Sequence, residues 1–475
     1  MSLPRYPEYK DSGVEWLGEV PGHWWIDRLK RSIERCKNGI WGDEAQGDED
    51  DIPCVRVADF NRQQLTVALD EPTIRKVTEK ERGGRVLSKG DLLLEKSGGG
   101  ENQPVGCVVL YEDTRPAVCS NFVARMQIAA DMDSSYWRYV HAAAYAIRLT
   151  TGSINQTSGI QNLDQDRYFN ERVAFPPLKE QSTIASFLDR ETRKIDALIA
   201  EQRQLVTLLA EKRQAVISHA ITKGLNPNAP MKDSGIEWLG EVPGHWAVCA
   251  LSYRFEVLLG KMLDEKRITG EHLAPYLRNA DVQWGQINTI DLPEMDFKGD
   301  DLVRYALKPG DLLVCEGGDV GRAAVWVGTL QECYYQKALH RLRARNEDGD
   351  TAGFLFYVLY AAAKLGLFVG SEGRSTIAHL TAEALRRYQF AFPPLAEQQA
   401  IATFLDNEIT KFDTLTAEAN RAIALLQERR SALISATVTG KIDVRHACEV
   451  FRGQGKGGTT ARLLTDREAD ATREV

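Results

Sequence analysis

The sequence has none of the cysteine pairs spaced for a zinc ribbon or a dithiol redox site, although it contains eight cysteines. We therefore expect reduced thiols in a cytoplasmic protein. The amino-terminal segment MSLPRYPEYKD lacks the apolar core of a signal peptide. The most apolar run, residues 354–369, contains Lys364 and is shorter than the ~18 residues of a membrane span. This run predicts a packed helix.

Motifs for catalysis are also missing. The Pro-Pro pairs at 176–177 and 393–394 follow Phe, whereas an adenine methyltransferase needs Asn or Asp at that place to bind the adenine amino group. Glu95 and Lys96 are adjacent, so they cannot share one face of a strand as a nuclease site requires. Gly98–Gly100 is not followed by the Lys-Ser/Thr of a phosphate loop, and no two histidines have metal-helix spacing. We predict a non-catalytic chain without a metal site or a cofactor of its own.

The formal net charge of −8 argues weakly against a nucleic-acid binder, which usually has a basic face. Part of this acidity lies in the segment DEAQGDEDD, residues 43–51. We expect that loop to point away from a DNA duplex or towards a partner. A subunit that shares its phosphate contacts with partners need not be basic itself.

The most informative feature is an internal repeat. KDSGVEWLGEVPGHW at 10–24 returns as KDSGIEWLGEVPGHW at 232–246, with one difference in fifteen positions. We call each copy a GHW segment. Three more markers recur in the same order: GDLL at 90 and 310, a small-residue stretch at 141–144 and 360–363, and AFPPLxEQ at 174 and 391. Two copies of one large unit are predicted. The stretches between the markers differ, which indicates two readers of different targets or, alternatively, an old duplication that has drifted.

Each repeat starts with a head in which short strand-like runs alternate with turns and helical stretches, so the predicted fold class is α+β. The predicted strands are 55–60, 65–69, 91–95 and 105–111 in the first head, and 276–282, 311–315 and 323–327 in the second.

Each head is followed by a long helical arm that starts after FPPL. Apolar residues at alternating heptad positions predict an antiparallel coiled coil of two arms, each ~60 Å long. Gln202 interrupts the first seam, and Ala419 occupies the equivalent place. The predicted seam residues are Ile184, Leu188, Ile195, Leu198, Leu205, Leu209 and Val216 in the first arm, and Ile401, Leu405, Phe412, Leu415, Ala422, Leu426 and Leu433 in the second.

The WLG-x-[IV]-P-x-HW motif, the GDLL strand, FPPLxEQ and the arm ends LLAEKRQAVIS and LLQERRSALIS resemble the specificity subunit of type I restriction-modification enzymes. The resemblance covers roughly residues 5–444, and the set of motifs occurs in the same order in both repeats. It implies two target recognition domains with internal pseudo-twofold symmetry, each reading one half of a bipartite, asymmetric DNA target. The expected domains are 1–178 and 225–395 for recognition, 179–224 and 396–444 for the spacer arms, and 445–475 for a flexible tail.

The partners expected for this protein follow from the family resemblance alone. The resemblance implies double-stranded DNA, two modification subunits that bind S-adenosylmethionine and methylate adenine, and restriction subunits that use ATP and Mg. It implies no membrane association. The target sequence, its gap length and the stoichiometry of the restriction subunits are not encoded in any visible pattern.

Base reading favours Arg or Lys towards guanine and Asn or Gln towards adenine. The candidates in the first head are Arg56, Asn61, Arg62, Gln63, Lys96, Ser97, Asn102, Gln103, Asn121, Gln156 and Gln161. Those in the second head are Arg278, Asn279, Gln283, Arg322, Gln336, Lys337, Arg374, Ser375 and His379. For any single residue, an ordinary solvated role is the alternative.

Residues that are identical in both copies cannot distinguish two half-sites. We therefore predict that Trp16, His23, Trp24 and their counterparts pack the heads onto the arms rather than stack on bases. Arg213 and Arg430, shared by both arms, either bind partner subunits or are solvated. Two other functions remain open: a self-contained methyltransferase or nuclease with fused specificity domains, and a coiled-coil assembly scaffold without sequence preference.

Overall fold

The computed structural model describes residues 4–157, 159–263, 269–368 and 379–445. Within these ranges each repeat forms a head of short strands followed by one long helix. The helices are α1 (Glu79–Arg82), α2 (Ser134–Ala146), α3 (Gln165–Phe169), α4 (Leu178–Lys223), α5 (Leu251–Arg254), α6 (Asp301–Arg304), α7 (Ala352–Lys364), α8 (Ala382–Arg387) and α9 (Leu395–Val438). The mixture of strands and helices confirms the predicted α+β class.

The strands of the first head are β1 (Tyr9–Asp11), β2 (Glu19–Pro21), β3 (Trp25–Arg28), β4 (Ile33–Asn38), β5 (Asp43–Glu44), β6 (Asp51–Val55), β7 (Phe60–Asn61), β8 (Thr66–Val67), β9 (Thr73–Lys76), β10 (Leu92–Glu95), β11 (Ser97–Gly98), β12 (Val108–Leu110), β13 (Val118–Cys119), β14 (Val123–Ile128), β15 (Ile154–Thr157), β16 (Ile160–Leu163) and β17 (Arg172–Phe175). A six-stranded sheet has the order β4-β14-β10-β12-β8-β7, a four-stranded sheet the order β13-β6-β9-β5, and a three-stranded sheet the order β11-β16-β15.

The strands of the second head are β18 (Met231–Asp233), β19 (Glu241–Pro243), β20 (Ala247–Ala250), β21 (Phe255–Leu259), β22 (Leu273–Leu277), β23 (Val282–Gln283), β24 (Gln286–Ile287), β25 (Glu294–Asp296), β26 (Leu312–Cys315), β27 (Ala323–Val325), β28 (Tyr334–Tyr335), β29 (Leu339–Ala344) and β30 (Gln389–Phe392). Its central sheet has the order β21-β29-β26-β27, and β22 pairs with β25 and β28 beside it. The antiparallel centre β4-β14-β10-β12 of the first head is therefore repeated in the second.

The chain divides into two units, Met1–Arg203 with Arg421–Val475, and Gln204–Asn420. Each unit thus contains one head, part of α4 and part of α9. In the first unit, Ile184 and Leu188 of α4 share a buried core with Trp24, Ile434 and Val438. Further along α4, Asp196 lies 3.0 Å from Nε of Arg430. Because residue numbers rise on α4 while they fall on α9, the two helices run antiparallel here.

The second unit has the same helix pairing. Arg213 Nη1 lies 2.6 Å from Asp413 Oδ1. Beyond this ion pair, Ile217 and Ile221 share a buried core with Trp246, Ile401 and Leu405. The antiparallel pairing of the two long helices is therefore confirmed in each unit. Arg213 and Arg430, expected either to bind partner subunits or to be solvated, each form an ion pair with a carboxylate of their own chain.

The helix predicted from the apolar run is confirmed as α7, which is packed rather than exposed. Its counterpart α2 contains His141, whose Nδ1 lies 2.8 Å from the Tyr168 hydroxyl inside the core. Burial lowers the pKa of His141 to about 3. The imidazole is therefore uncharged at neutral pH and serves as a core residue.

Two of the predicted strands are interrupted. The run 55–60 ends its strand at Val55 and then forms a 3-10 turn over Val57–Asp59, and the run 276–282 does the same at Leu277 and Asn279–Asp281. In both turns the aspartate carboxylate accepts a hydrogen bond from the backbone N–H three residues earlier, at 2.7 Å. This side-chain bond competes with the strand ladder and ends it.

The predicted coiled-coil seam is wrong at three leucines. Leu198, Leu205 and Leu415 are exposed, whereas Ile199, next to Leu198, is fully buried. A 3.5-residue repeat alternates steps of three and four, and two adjacent apolar residues leave the choice of step open. Ala419, predicted to occupy the position in the second seam that is equivalent to Gln202, is buried.

Candidate nucleic-acid interface

A buried carboxylate joins the GHW segment of the first head to the first turn of its long helix. Glu180 accepts hydrogen bonds from the Tyr6 hydroxyl (2.6 Å) and Trp24 Nε1 (3.1 Å), and its Oε2 lies 2.8 Å from His23 Nε2. Burial and the neighbouring Glu180 raise the pKa of Tyr6, so its hydroxyl stays a donor. In the second head, Glu397 bonds Trp246 Nε1 (3.1 Å) and lies 2.7 Å from His245 Nε2.

The carboxyl-terminal end of a long helix covers each GHW segment. A Cβ on Gly440, after α9, would lie 2.2 Å from Cδ of Pro21. A Cβ on Gly224, after α4, would lie 3.3 Å from Trp246. The prediction that the GHW segments pack the heads onto the arms is therefore confirmed. The buried Trp24 and Trp246 rings are not available for stacking on bases.

Arg56 and Arg278, which were predicted as base readers, stabilise the 3-10 turns of the two heads. Arg56 donates through Nε (3.3 Å) and Nη2 (2.7 Å) to Asp59. Arg278 donates through the same atoms to Asp281, at 2.9 and 2.8 Å. The same ion pair in both heads shapes the backbone beside the interface but provides no difference between two half-sites.

One edge of the first head brings several candidates together. It consists of β11, β15, β16 and the turn Ser120–Phe122, and we call it edge 1. The Lys96 backbone N–H donates to the Phe122 carbonyl (2.8 Å), and the Leu163 N–H donates to the Lys96 carbonyl (2.8 Å). Edge 1 carries Lys96, Ser97, Asn121 and Gln156 on its surface.

The second head has an edge with the same backbone connections, formed by residues 316–318, 336–338 and 379–380, which we call edge 2. The Glu316 N–H donates to the Ala338 carbonyl (3.0 Å), and the Leu380 N–H donates to the Glu316 carbonyl (2.8 Å). Its surface carries Gln336, Lys337 and His379. Arg374 and Ser375, also predicted for this head, lie outside the described residues.

A glycine supports each edge at the same place. A Cβ on Gly39 would lie 2.1 Å from the Cys119 carbonyl oxygen, and one on Gly260 would lie 2.3 Å from the Gln336 carbonyl oxygen. Both glycines also donate backbone hydrogen bonds, to Val123 (2.9 Å) and Leu339 (3.0 Å). The two edges therefore share these backbone hydrogen bonds and the glycine packed against them, and they differ in their side chains.

Several predicted residues bind other residues of their own unit. Arg62 donates to the buried Glu95 (2.8 Å), and Gln63 donates to Asp196 of α4 (3.0 Å) while its carbonyl accepts from Arg430. The hairpin β7–β8 therefore docks on the long helices. Gln161 is buried and accepts from the Val105 N–H (3.2 Å).

In the second head, Asn279 donates to the Gly317 and Ala338 carbonyls, both at 3.2 Å, and Arg322 donates to Asn279 (2.9 Å). Asn279 therefore binds the backbone of edge 2, and Arg322 binds Asn279. The remaining candidates lie in polar turns: Asn61 bonded to Gln64, Asn102 and Gln103 exposed after Gly100, and Gln283 bonded to the Ala280 carbonyl.

Residues of the β15–β16 hairpin were missed by the sequence reasoning. Asn155 and Asn162 are exposed and paired across the two strands. The polar stretch that contains them could have been interpreted as two four-residue strands around Ser-Gly, which is a turn signal. Because the β-propensity of this stretch is low, no strands were predicted there.

The acidic segment 43–51 is partly ordered by its own contacts. Asp48 lies 2.6 Å from Nζ of Lys76, and Asp51 accepts from the backbone N–H groups of Gln46 and Gly47. Asp43 and Glu44 form β5, which pairs with β9.

Across the described ranges, no helix combines the length and apolarity needed to cross a membrane. The seven cysteines in these ranges are free thiols, and no group of three potential metal ligands is found among the residues that the structure covers.

Known proteins resemble this chain along most of its length. Residues 245–424 match the family model "Type I restriction modification DNA specificity domain". A protein assigned as the MjaX specificity subunit of Methanocaldococcus jannaschii is 21% identical over 90% of this chain and 96% of its own length. The MjaVIII specificity subunit of the same organism is 24% identical over 78% of this chain and 83% of its own. Over most of its length the chain is therefore similar to specificity subunits of type I restriction-modification systems.

Solved structures show the same fold. One from a study of complex assembly and conformational transition of the type I R-M system has a TM-score of 0.62, at 17% identity over 88% of this chain and 98% of its own. The HsdS subunit of Thermoanaerobacter tengcongensis has a TM-score of 0.54, at 16% identity over 89% and 98%. A specificity subunit provides DNA specificity and is not itself an enzyme, since the catalytic activities lie in partner subunits.

Proposed function

We propose that this specificity subunit reads a split, asymmetric DNA target, one half with each head, and that edges 1 and 2 are the reading surfaces. The observation that carries the proposal is the shared backbone arrangement of the two edges with different side chains on it. A reader of two different half-sites needs a constant frame and variable contacts.

The chemistry of the edges fits base reading. Edge 1 offers the amides of Asn121 and Gln156 and the ammonium group of Lys96, whereas edge 2 offers Gln336, Lys337 and His379. Amides suit adenine and cations suit guanine or phosphate. The two donor sets differ, so they should favour different bases.

We further propose that the long helices set the gap between the half-sites and hold two modification subunits. Leucines at equivalent places of the two helices are exposed instead of buried in the seam: Leu198 (45%) and Leu415 (46%), then Leu208 (51%) and Leu425 (55%). Exposed leucines that recur at matching positions, unlike apolar residues scattered singly, fit a surface that binds a partner. Because the same positions recur in both helices, two copies of one partner are expected.

The modification subunits would bring S-adenosylmethionine and methylate adenine, and the restriction subunits would use ATP and Mg. We expect the assembled complex to act in the cytoplasm, where incoming DNA is met. The isolated chain should bind DNA only modestly, because its net charge of −8 provides little attraction for phosphates.

The test is methylome sequencing of cells that carry this chain with its modification subunit. We expect modified adenines within one motif made of two short specified blocks separated by a fixed unspecified gap. Modified adenines in a continuous motif, or without any common motif, would contradict the proposal.

A further inference from the structure

The three-stranded sheet β11-β16-β15 of edge 1 is polar without being charged. Residues 153–163 contain no Asp, Glu, Lys or Arg. In the sheet, Ser97 pairs with Asn162, and Asn162 pairs with Asn155 on its other side. Paired residues point to the same face of a sheet, so these three side chains form one row.

The buried side of this sheet is anchored and its outer side is free. Along β16, Gln161 and Leu163 are buried, while Ile160 and Asn162 are exposed. The buried Gln161 accepts from the Val105 N–H, which fixes the sheet to the head. The row of Ser97, Asn162 and Asn155 therefore faces outward together with Ile160, which is 51% exposed.

The outer face has the groups that recognise an A·T pair. The Ser97 hydroxyl donates to Oδ1 of Asn162 (2.6 Å), so the Asn162 amino group is directed away from Ser97. Among the described residues, the Asn155 amide has no hydrogen-bond partner in its own chain. Asparagine binds N6 and N7 of adenine, and an apolar side chain contacts the thymine methyl group.

We propose that the β15–β16 hairpin enters the major groove at the first half-site, where Asn155 and Asn162 read adenine and Ile160 contacts a thymine methyl group. The inference rests on the proposed function, because it assigns the contacts of the head that reads this half. A two-stranded β-ribbon fits the width of the major groove. An uncharged ribbon suits base edges, whereas phosphates would call for cations.

Lys96 directly precedes β11, which pairs with the β15–β16 hairpin, and its Nζ donates to Asn38 Oδ1 (2.8 Å). It provides a cation beside the uncharged face, at a place where a phosphate would flank the bases.

The second head carries different groups at the equivalent places. The bond from the Leu380 N–H to the Glu316 carbonyl matches the bond from Leu163 to Lys96, which puts His379 where Asn162 stands. Gly317 replaces Ser97, and a Cβ there would lie 3.4 Å from Nδ1 of His379. The second half-site should therefore not share the adenine contacts assigned to the first.

The first experiment is methylome sequencing of the full complex with Asn155→Ala or Asn162→Ala. We expect discrimination at one A·T position of one half to fall about ten-fold or more, with the other half unchanged. The matched control is Asn170→Ala, an exposed asparagine after α3, which should leave the motif intact. Thermal unfolding checks the fold, and Asn155→Ala carries the test if Asn162→Ala fails to fold.

A split wild-type motif that both variants leave unchanged, or a uniform loss of methylation without any change of motif, would overturn this inference alone. A wild-type motif that is not split would instead overturn the proposed function.

The second experiment uses duplexes of the wild-type motif in which uracil replaces thymine and so removes the methyl group. Methylation by the wild-type complex should weaken by about three-fold or more at a thymine of the first half, a loss that Ile160→Ala should abolish. If no thymine of the first half responds, or if Ile160→Ala responds like the wild type, the groove assignment is wrong.

Discussion

Glu180 gives a physical reason for the near-identity of the two GHW segments, because it binds the His and Trp side chains that both segments contain. Its carboxylate, in the first turn of α4, binds His23, Trp24 and the nearby Tyr6, and Glu397 binds two side chains at the start of α9. The sequence predicted the helix start and the packing of the GHW segments, because both motifs recur. It could not predict that one glutamate joins them, since the residues are more than 150 positions apart.

Replacement of this glutamate should destabilise the first unit. Glu180→Ala would leave the Trp24 and Tyr6 donors buried without an acceptor, at a cost of about 2 kcal/mol or more. Glu397→Ala should cost less, because Glu397 is more exposed and has fewer partners. The measurement is the midpoint of thermal unfolding of the two variants beside the wild type. A larger loss for Glu397→Ala would contradict the role assigned to Glu180.

At the scale of elements, the helices were easier to predict from sequence than the strands. α4 and α9 follow Pro-Pro and have sustained heptads, so their starts and their pairing are visible in the sequence. The runs 55–60 and 276–282 look like strands, but Asp59 and Asp281 turn them with a local hydrogen bond. Leu198 looks like a seam residue, but its neighbour Ile199 is the one that is buried.

Edges 1 and 2 depend on glycines that no motif marked. Gly39→Ala and Gly260→Ala should each destabilise their own head, by about 1–3 kcal/mol, because the added Cβ would overlap a carbonyl oxygen. Gly152→Ala is the matched control, since a Cβ there has open space. Thermal unfolding together with a methylation assay measures the effect. Equal behaviour of Gly39→Ala and Gly152→Ala would show that the close approach is not required.

At the scale of the whole molecule, the sequence predicted two heads and two arms, and the structure groups them differently. Each unit combines one head with parts of both long helices, so neither arm belongs to one unit alone. The sequence could not reveal this, because the partner of each arm segment lies more than 200 residues away, as with Asp196 and Arg430. The proposed reading surface was only partly predictable, since residue type selected Lys96 and Ser97 of edge 1 but also Gln63, which binds α4, and Gln161, which is buried in the head.

The central claim is that each head reads its own half of the target. Exchange of residues 25–173 for the matching segment of another specificity subunit tests it most directly, with methylome sequencing of the complex as the measurement. We predict that one block of the split motif changes, while the other block keeps its sequence. A change in both blocks, or in neither, would contradict the assignment of one head to one half-site.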